Sequence, residues 1–100
     1  MGMNMDRIPE RYQEDIKKAV IFLKNEGCKA IYLFGSLVTG KIHHYSDIDI
    51  GITGLPAKKF FRVYALLDKE LSHKIDLVDF DLCTDLFNLL NSLGEVAEIG

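Results

Sequence analysis

Phe34-Gly35-Ser36-Leu37-Val38-Thr39-Gly40-Lys41-Ile42-His43-His44-Tyr45-Ser46-Asp47-Ile48-Asp49-Ile50 is the stretch on which the fold turns. It opens on the end of an apolar run, Lys29 to Phe34, whose length and composition predict a buried strand. Gly35 ends that strand, Ser36 to Thr39 opens a short helix, Gly40 breaks it, and Lys41 to Tyr45 is a polar loop. Ser46 to Thr53 then alternates with period two and predicts a second strand. Residues two apart on a strand share a face, so Asp47 and Asp49 project together while Ile48 and Ile50 face the other side. Two like charges side by side in an apolar strand repel each other. A cation that prefers oxygen ligands, Mg²⁺ above all, relieves them. For such a pair in isolation, a solvated polar strand face is the competing reading. The Gly-Ser turn has its own chemistry. Free backbone N–H groups at a helix start attract anions, Gly35 lets backbone approach a bulky ligand, and Ser36 adds a hydroxyl donor.

Working outward, residues 9 to 26 read as a helix. Pro9 suits its first position, Tyr12, Ile16, Ala19, Val20 and Leu23 form one apolar stripe, and Gly27 stops it. Beyond the second strand, Gly54 to Pro56 is a turn. Residues 57 to 71 then carry Phe60, Tyr64, Leu67 and Leu71 at helical spacing. Lys74 to Phe80 is a third strand. Thr84 caps a last helix whose apolar face is Leu86, Leu89, Leu90 and Leu93, closed by Gly94, and residues 95–100 carry no clear period.

The second and third strands are joined through a full helix and are expected to be parallel. Only about a dozen residues link the first and second, which is short for a parallel crossover and implies antiparallel pairing. The expected fold is α/β (α+β): a small mixed three-stranded sheet flanked by helices, in a single domain over residues 1–100. The third strand adds Asp76 and Asp79. Their parity is opposite, so only one of them joins the pair on the neighbouring strand. Three carboxylates beside a phosphate-binding turn make a two-metal site, the arrangement that stabilises attacking and leaving oxygens in phosphoryl chemistry.

Gly35-Ser36, ten intervening residues, then Asp47-x-Asp49 resembles the GS-x(10)-DxD pattern of the DNA polymerase β-like nucleotidyltransferase superfamily. At this length the chain is similar to its minimal members. With ordinary residue frequencies, four such fixed positions match by chance roughly once in 10⁵ starts. The resemblance covers about residues 15 to 95 and includes KIDLVDF, which is similar to the family's third-carboxylate strand. It implies that Gly35 and Ser36 hold the terminal phosphates of ATP; nearby Lys41 is read as a further nucleotide-binding cation. It implies that Asp47, Asp49 and Asp76 bind two Mg²⁺, and that Asp76, rather than Asp79, helps to deprotonate an acceptor hydroxyl. The implied reaction is transfer of AMP to that hydroxyl. By resemblance the acceptor is a tyrosine of a helical HEPN-type partner toxin, with the nucleotidyltransferase acting as antitoxin. The segment Gly35-Ser36-Leu37-Val38-Thr39-Gly40 departs from many relatives, which carry Arg or Lys where Leu37 and Thr39 stand. That departure favours the alternative, a non-catalytic protein that neutralises a partner by binding it.

Composition bounds the remainder. Twelve basic and fifteen acidic side chains in 100 residues leave a net charge of −3, which argues against general nucleic-acid binding. The start lacks the apolar stretch of a signal peptide and no run is long enough for a membrane span. Cys28 and Cys83 read as two buried free thiols, which fits a reducing cytoplasm. His43 and His44 read as a solvated loop, Tyr45 as packing, His73 as a surface residue, and Lys58, Lys59 and Arg62 as a solvated helix face. Phe60, Phe61 and the run from Leu82 to Leu93 leave two readings: a well-covered sheet, or an exposed patch for a partner or a second copy.

Overall fold

The computed structural model describes residues 8–42 and 46–100; the readings of His43, His44 and Tyr45 and of the first seven residues lie outside them. The elements follow in the order α1 (Glu10–Asn25), β1 (Ala30–Phe34), α2 (Ser36–Thr39), β2 (Ile48–Thr53), α3 (Phe60–Glu70), β3 (Ile75–Asp79), α4 (Thr84–Leu93) and β4 (Val96–Glu98). A single 3-10 turn, Ala57–Lys59, leads into α3. The strand order is β3-β2-β1-β4. β1 and β2 are antiparallel, with Leu33 opposite Ile50, and β2 and β3 are parallel, with Asp49 opposite Asp76.

Among the described residues the sheet has four strands, not the expected three. β4 lies antiparallel on β1, and the pairing runs on through Ile99 N–H to the Ile31 carbonyl at 2.8 Å and Ile31 N–H to the Gly100 carbonyl at 2.9 Å. A three-residue strand is too short to display alternation, so only its partner reveals it. β2 also starts later than expected, at Ile48. Its ladder with β1 ends at Phe34–Asp49 and its ladder with β3 at Ile48–Ile75, so Asp47 stands just before the strand.

One face of the sheet presents Ile31, Leu33, Ile48, Ile50, Ile52, Ile75 and Leu77. Tyr12, Ile16, Ala19 and Leu23 of α1 and Val63 and Leu67 of α3 close over them to form the core. At about 25 cal/mol per Å² of buried apolar surface, this face supplies most of the driving force for folding. The other face carries an aromatic plate. Phe87 of α4 meets Tyr32 at 5.0 Å and Phe80 at 5.1 Å between ring centres, and Phe80 meets Phe34 at 5.5 Å. Gly51 makes room for it, because a Cβ there would run into the Phe80 ring.

Phe87 is the residue through which α4 joins that plate, and none of the helix's residues is buried. Leu82, Leu89 and Leu93 are more than half exposed, so the leucine-rich run leaves an apolar patch in solvent. Cys83, at the start of this helix, is exposed, and only Cys28 is buried. That corrects the expectation of two buried thiols. Among the described residues no helix is long and apolar enough to cross a membrane.

Candidate active site

β1 ends at Phe34 and the chain turns at Gly35, whose φ of 73° and ψ of −151° belong to a region open essentially to glycine alone. α2 follows at once. Its first turn is closed by the Gly35 carbonyl, which accepts from the N–H groups of Val38 at 3.0 Å and Thr39 at 3.1 Å. Leu37 turns inward and is part of the core, while Thr39 is exposed.

The antiparallel register brings this turn onto Asp49. Asp49 lies opposite Phe34, and a Cβ built on Gly35 would collide with Asp49 Oδ2 and stand 2.9 Å from Asp49 Cγ. Glycine is therefore required twice here, for the backbone angle and for the approach. Asp76 lies opposite Asp49 on the parallel strand. Asp79, of opposite parity, is buried on the helix-covered face, where its Oδ1 accepts the Asp81 N–H at 2.9 Å. Ile48 and Ile50, on either side of Asp49 in β2, are fully buried on that same face.

The electrostatics follow from the crowding. Burial lifts the Asp49 carboxyl, and the negative charges of Asp76 and then Asp47 lift it further, to about 6. Among the described residues no Lys, Arg or His lies within ion-pair distance of Asp47, Asp49 or Asp76. Lys41 is exposed beyond α2, with no ion pair to the three carboxylates among the described residues. Nor do three His, Cys, Asp or Glu side chains among the described residues converge into a formed metal cage. What is present is a partly open, uncompensated set of oxygen donors on adjacent strands. That donor chemistry suits Mg²⁺, which binds through a few carboxylates and completes its shell with water and substrate phosphates.

Two polar groups are held in ways that differ from their sequence reading. His73 is not a surface residue: its Nδ1–H and backbone N–H both reach Asp15 Oδ2, at 2.7 and 2.8 Å. Asp15 is 2 % exposed. Burial alone would raise its pKa, but the His73 side chain and the backbone N–H groups of Ser72 and His73 outweigh it and hold the carboxyl below the usual range. An ionised acceptor requires His73 Nδ1 to be the donor. Asp15 falls beside the apolar stripe of α1, and that position was the available signal. Lys59 and Arg62 are not simply solvated either; both reach Glu26 at the end of α1, at 3.5 and 3.3 Å.

The chain matches the family described as polymerase beta, nucleotidyltransferase, over residues 14–92. A search of curated proteins finds no match. Among solved structures it is similar to a toxin–antitoxin crystallised with AMP-PNP, at 31 % identity and a TM-score of 0.55, over 65 % of this chain and 56 % of that one. It is also similar to a chain in the complex of a tri-AMPylated Shewanella oneidensis HEPN toxin with MNT antitoxin, at 28 % identity and a TM-score of 0.51, over 69 % of this chain and 56 % of that one. A chain of the toxin–antitoxin MntA–HepT, at 23 % identity and a TM-score of 0.58, shares the fold over 86 % of this chain and 69 % of its own. The chain thus spans little more than half the length of the first of these neighbours. The matched 79 residues take in the Gly35 turn pressed on Asp49 and the parallel register of Asp49 with Asp76, and the chain belongs to the polymerase beta nucleotidyltransferase family.

Proposed function

We propose that the chain transfers AMP from ATP to a hydroxyl acceptor, a tyrosine of a helical HEPN-type partner toxin, and so acts as the antitoxin of the pair. The observation that carries the reading is the apposition of Gly35, Asp49 and Asp76 across three adjacent strand ends. The neighbours crystallised with AMP-PNP and with a tri-AMPylated HEPN toxin support the choice of nucleotide and acceptor.

Asp47, Asp49 and Asp76 would hold two Mg²⁺, which when bound neutralise the charge that develops on the transferred phosphate and on the leaving pyrophosphate. Gly35 leaves the space for the terminal phosphates, the Ser36 hydroxyl donates to them, and Lys41 adds a positive charge from the loop. The acceptor oxygen attacks the α-phosphorus, its proton passes to Asp76, and the bond to the β-phosphate oxygen breaks to release pyrophosphate. Positioning and charge neutralisation account for the acceleration.

The test is a transfer assay with ATP labelled on the α-phosphate, Mg²⁺ and lysate of the source cells, run beside the Asp47→Asn, Asp49→Asn double variant. The expected result is a labelled protein band that the double variant fails to produce. The exposed α4 leucines favour a second reading, neutralisation by binding alone. Absence of label together with absence of any Mg·ATP effect on the melting temperature would favour it and overturn the first.

A further inference from the structure

Two tyrosine hydroxyls, one on each helix covering the core face of the sheet, end on equivalent places in the site. Tyr12 of α1 donates to the carbonyl of Ser46 at 3.1 Å. Tyr64 of α3 donates to the carbonyl of Ile75, also at 3.1 Å. Ser46 immediately precedes Asp47, and Ile75 immediately precedes Asp76. A carbonyl oxygen and the next residue's N and Cα lie in one rigid peptide plane. Holding the oxygen therefore sets the direction from which the following side chain projects.

We propose that Tyr12 and Tyr64 are positioning residues that clamp the peptide planes carrying Asp47 and Asp76, and so set the two outer carboxylates of the site around Asp49. The inference rests on the nucleotidyl-transfer reading for its purpose, but not for its geometry. β2 and β3 need such help at their starts. The β1–β2 ladder ends at Phe34–Asp49 and the β2–β3 ladder at Ile48–Ile75, so among the described residues Asp47 has no strand partner of its own. Among the described residues β3 is the edge of the sheet, with β2 as its sole strand neighbour. The tyrosine on α3 supplies the edge carbonyl with a donor that a further strand would otherwise bring.

The two clamps are joined through His73. Its ring lies 4.4 Å from that of Tyr12 between centres, and both its Nδ1 and its backbone N–H are held by buried Asp15, one helical turn beyond Tyr12 on α1. From His73 the chain passes Lys74, whose carbonyl accepts the Ile48 N–H at 2.9 Å, and enters β3 at Ile75. Tyr12 is itself 1 % exposed, so its ring is locked and the hydroxyl has little freedom to leave its acceptor. Asp15 and His73 are thus explained as the support of the clamp, without contact with substrate.

The experiment compares wild type with Tyr12→Phe, Tyr64→Phe and the double variant, each of which keeps the ring and removes one oxygen. Thr84→Val is the control; it also removes a hydroxyl-to-carbonyl bond, on α4 and away from the site, where Thr84 Oγ1 reaches the Asp81 carbonyl at 3.2 Å. Amide hydrogen exchange is read in metal-free protein, and Mn²⁺ affinity is read by titrating the free ion. The expected result is faster exchange at Ile48 and Asp49 in Tyr12→Phe and at Asp76 and Leu77 in Tyr64→Phe, with Ile31 and Leu33 unchanged. Mn²⁺ affinity is expected to fall about two- to tenfold per hydroxyl, the range of one hydrogen bond, and to be unaltered in Thr84→Val. Exchange that is unchanged, or raised uniformly across the sheet, overturns the clamp. Local exchange with unchanged Mn²⁺ affinity overturns the positioning role. If wild type binds no Mn²⁺ and transfers no AMP, the nucleotidyl-transfer reading falls, and the exchange pattern alone upholds or rejects the clamp on Asp47 and Asp76.

Discussion

Asp49 carries the electrostatic strain of the site, and its titration has a definite sign. Its folded-state pKa of about 6 stands above the usual carboxylate value, first through burial and then through Asp76 and Asp47. The native state therefore holds this proton more tightly than the unfolded chain does. The stability contributed by the group is complete below about pH 4 and is lost as the pH rises through 6. Asp49→Asn is accordingly expected to raise the melting temperature of metal-free protein at pH 7.5, with the gain shrinking towards pH 4. Melts in chelator across that range check it, and a variant less stable than wild type at pH 7.5 contradicts the assignment. Gly35 is the second critical residue. Alanine there meets both an unfavourable φ and the Asp49 carboxylate, so Gly35→Ala is expected to destabilise by about 1–3 kcal/mol in urea denaturation. A neutral Gly35→Ala would mean that the turn relaxes away from Asp49.

The helices divide by what covers them. α1 and α3 are amphipathic in the ordinary sense and bury their stripes on the sheet. α4 has a comparable apolar stripe but rests on the aromatic plate through Phe87, with Leu89 and Leu93 in solvent. Truncating a leucine should thus cost much on α3 and little on α4. Leu67→Ala, at a fully buried position of α3, is expected to cost about 2–5 kcal/mol. Leu89→Ser and Leu93→Ser on α4 are expected to stay within about 0.5 kcal/mol of wild type in the same urea titration. A large loss at Leu89 would show that α4 is covered in solution by something absent from the isolated chain.

The two thiols report on the whole molecule at once. Cys83 is exposed, whereas Cys28 is buried, and burial pushes its thiol up despite the nearby Lys24 and Lys59. A thiol reagent is expected to modify Cys83 at once and Cys28 only through opening of the fold, so a Cys83→Ser variant converts labelling into a stability measurement. A ligand that binds only the folded state at about a hundred times its dissociation constant stabilises it by about 2.7 kcal/mol. Saturating Mg·ATP is therefore expected to slow Cys28 labelling on the order of a hundredfold. Labelling that is indifferent to Mg·ATP would count against nucleotide binding by this chain.

Periodicity and spacing alone determined the helices and three of the strands, the antiparallel then parallel pairing, and the opposite parity of Asp76 and Asp79. These are local properties: alternation along a strand and the length of a connection need no knowledge of distant residues. The Gly35-Ser36 and Asp47-x-Asp49 pair was legible for the same reason, as a fixed spacing across one turn and one loop. Tertiary structure decided what depends on a partner far along the chain. β4 exists because β1 has a free edge, and α4 is exposed because no further element lies over it among the described residues. The Tyr12–Ser46 and Asp15–His73 contacts join residues 34 and 58 positions apart. A buried aspartate beside an apolar stripe shows that some donor is required, but only the packing of α1 against the turn before β3 shows that His73 provides it.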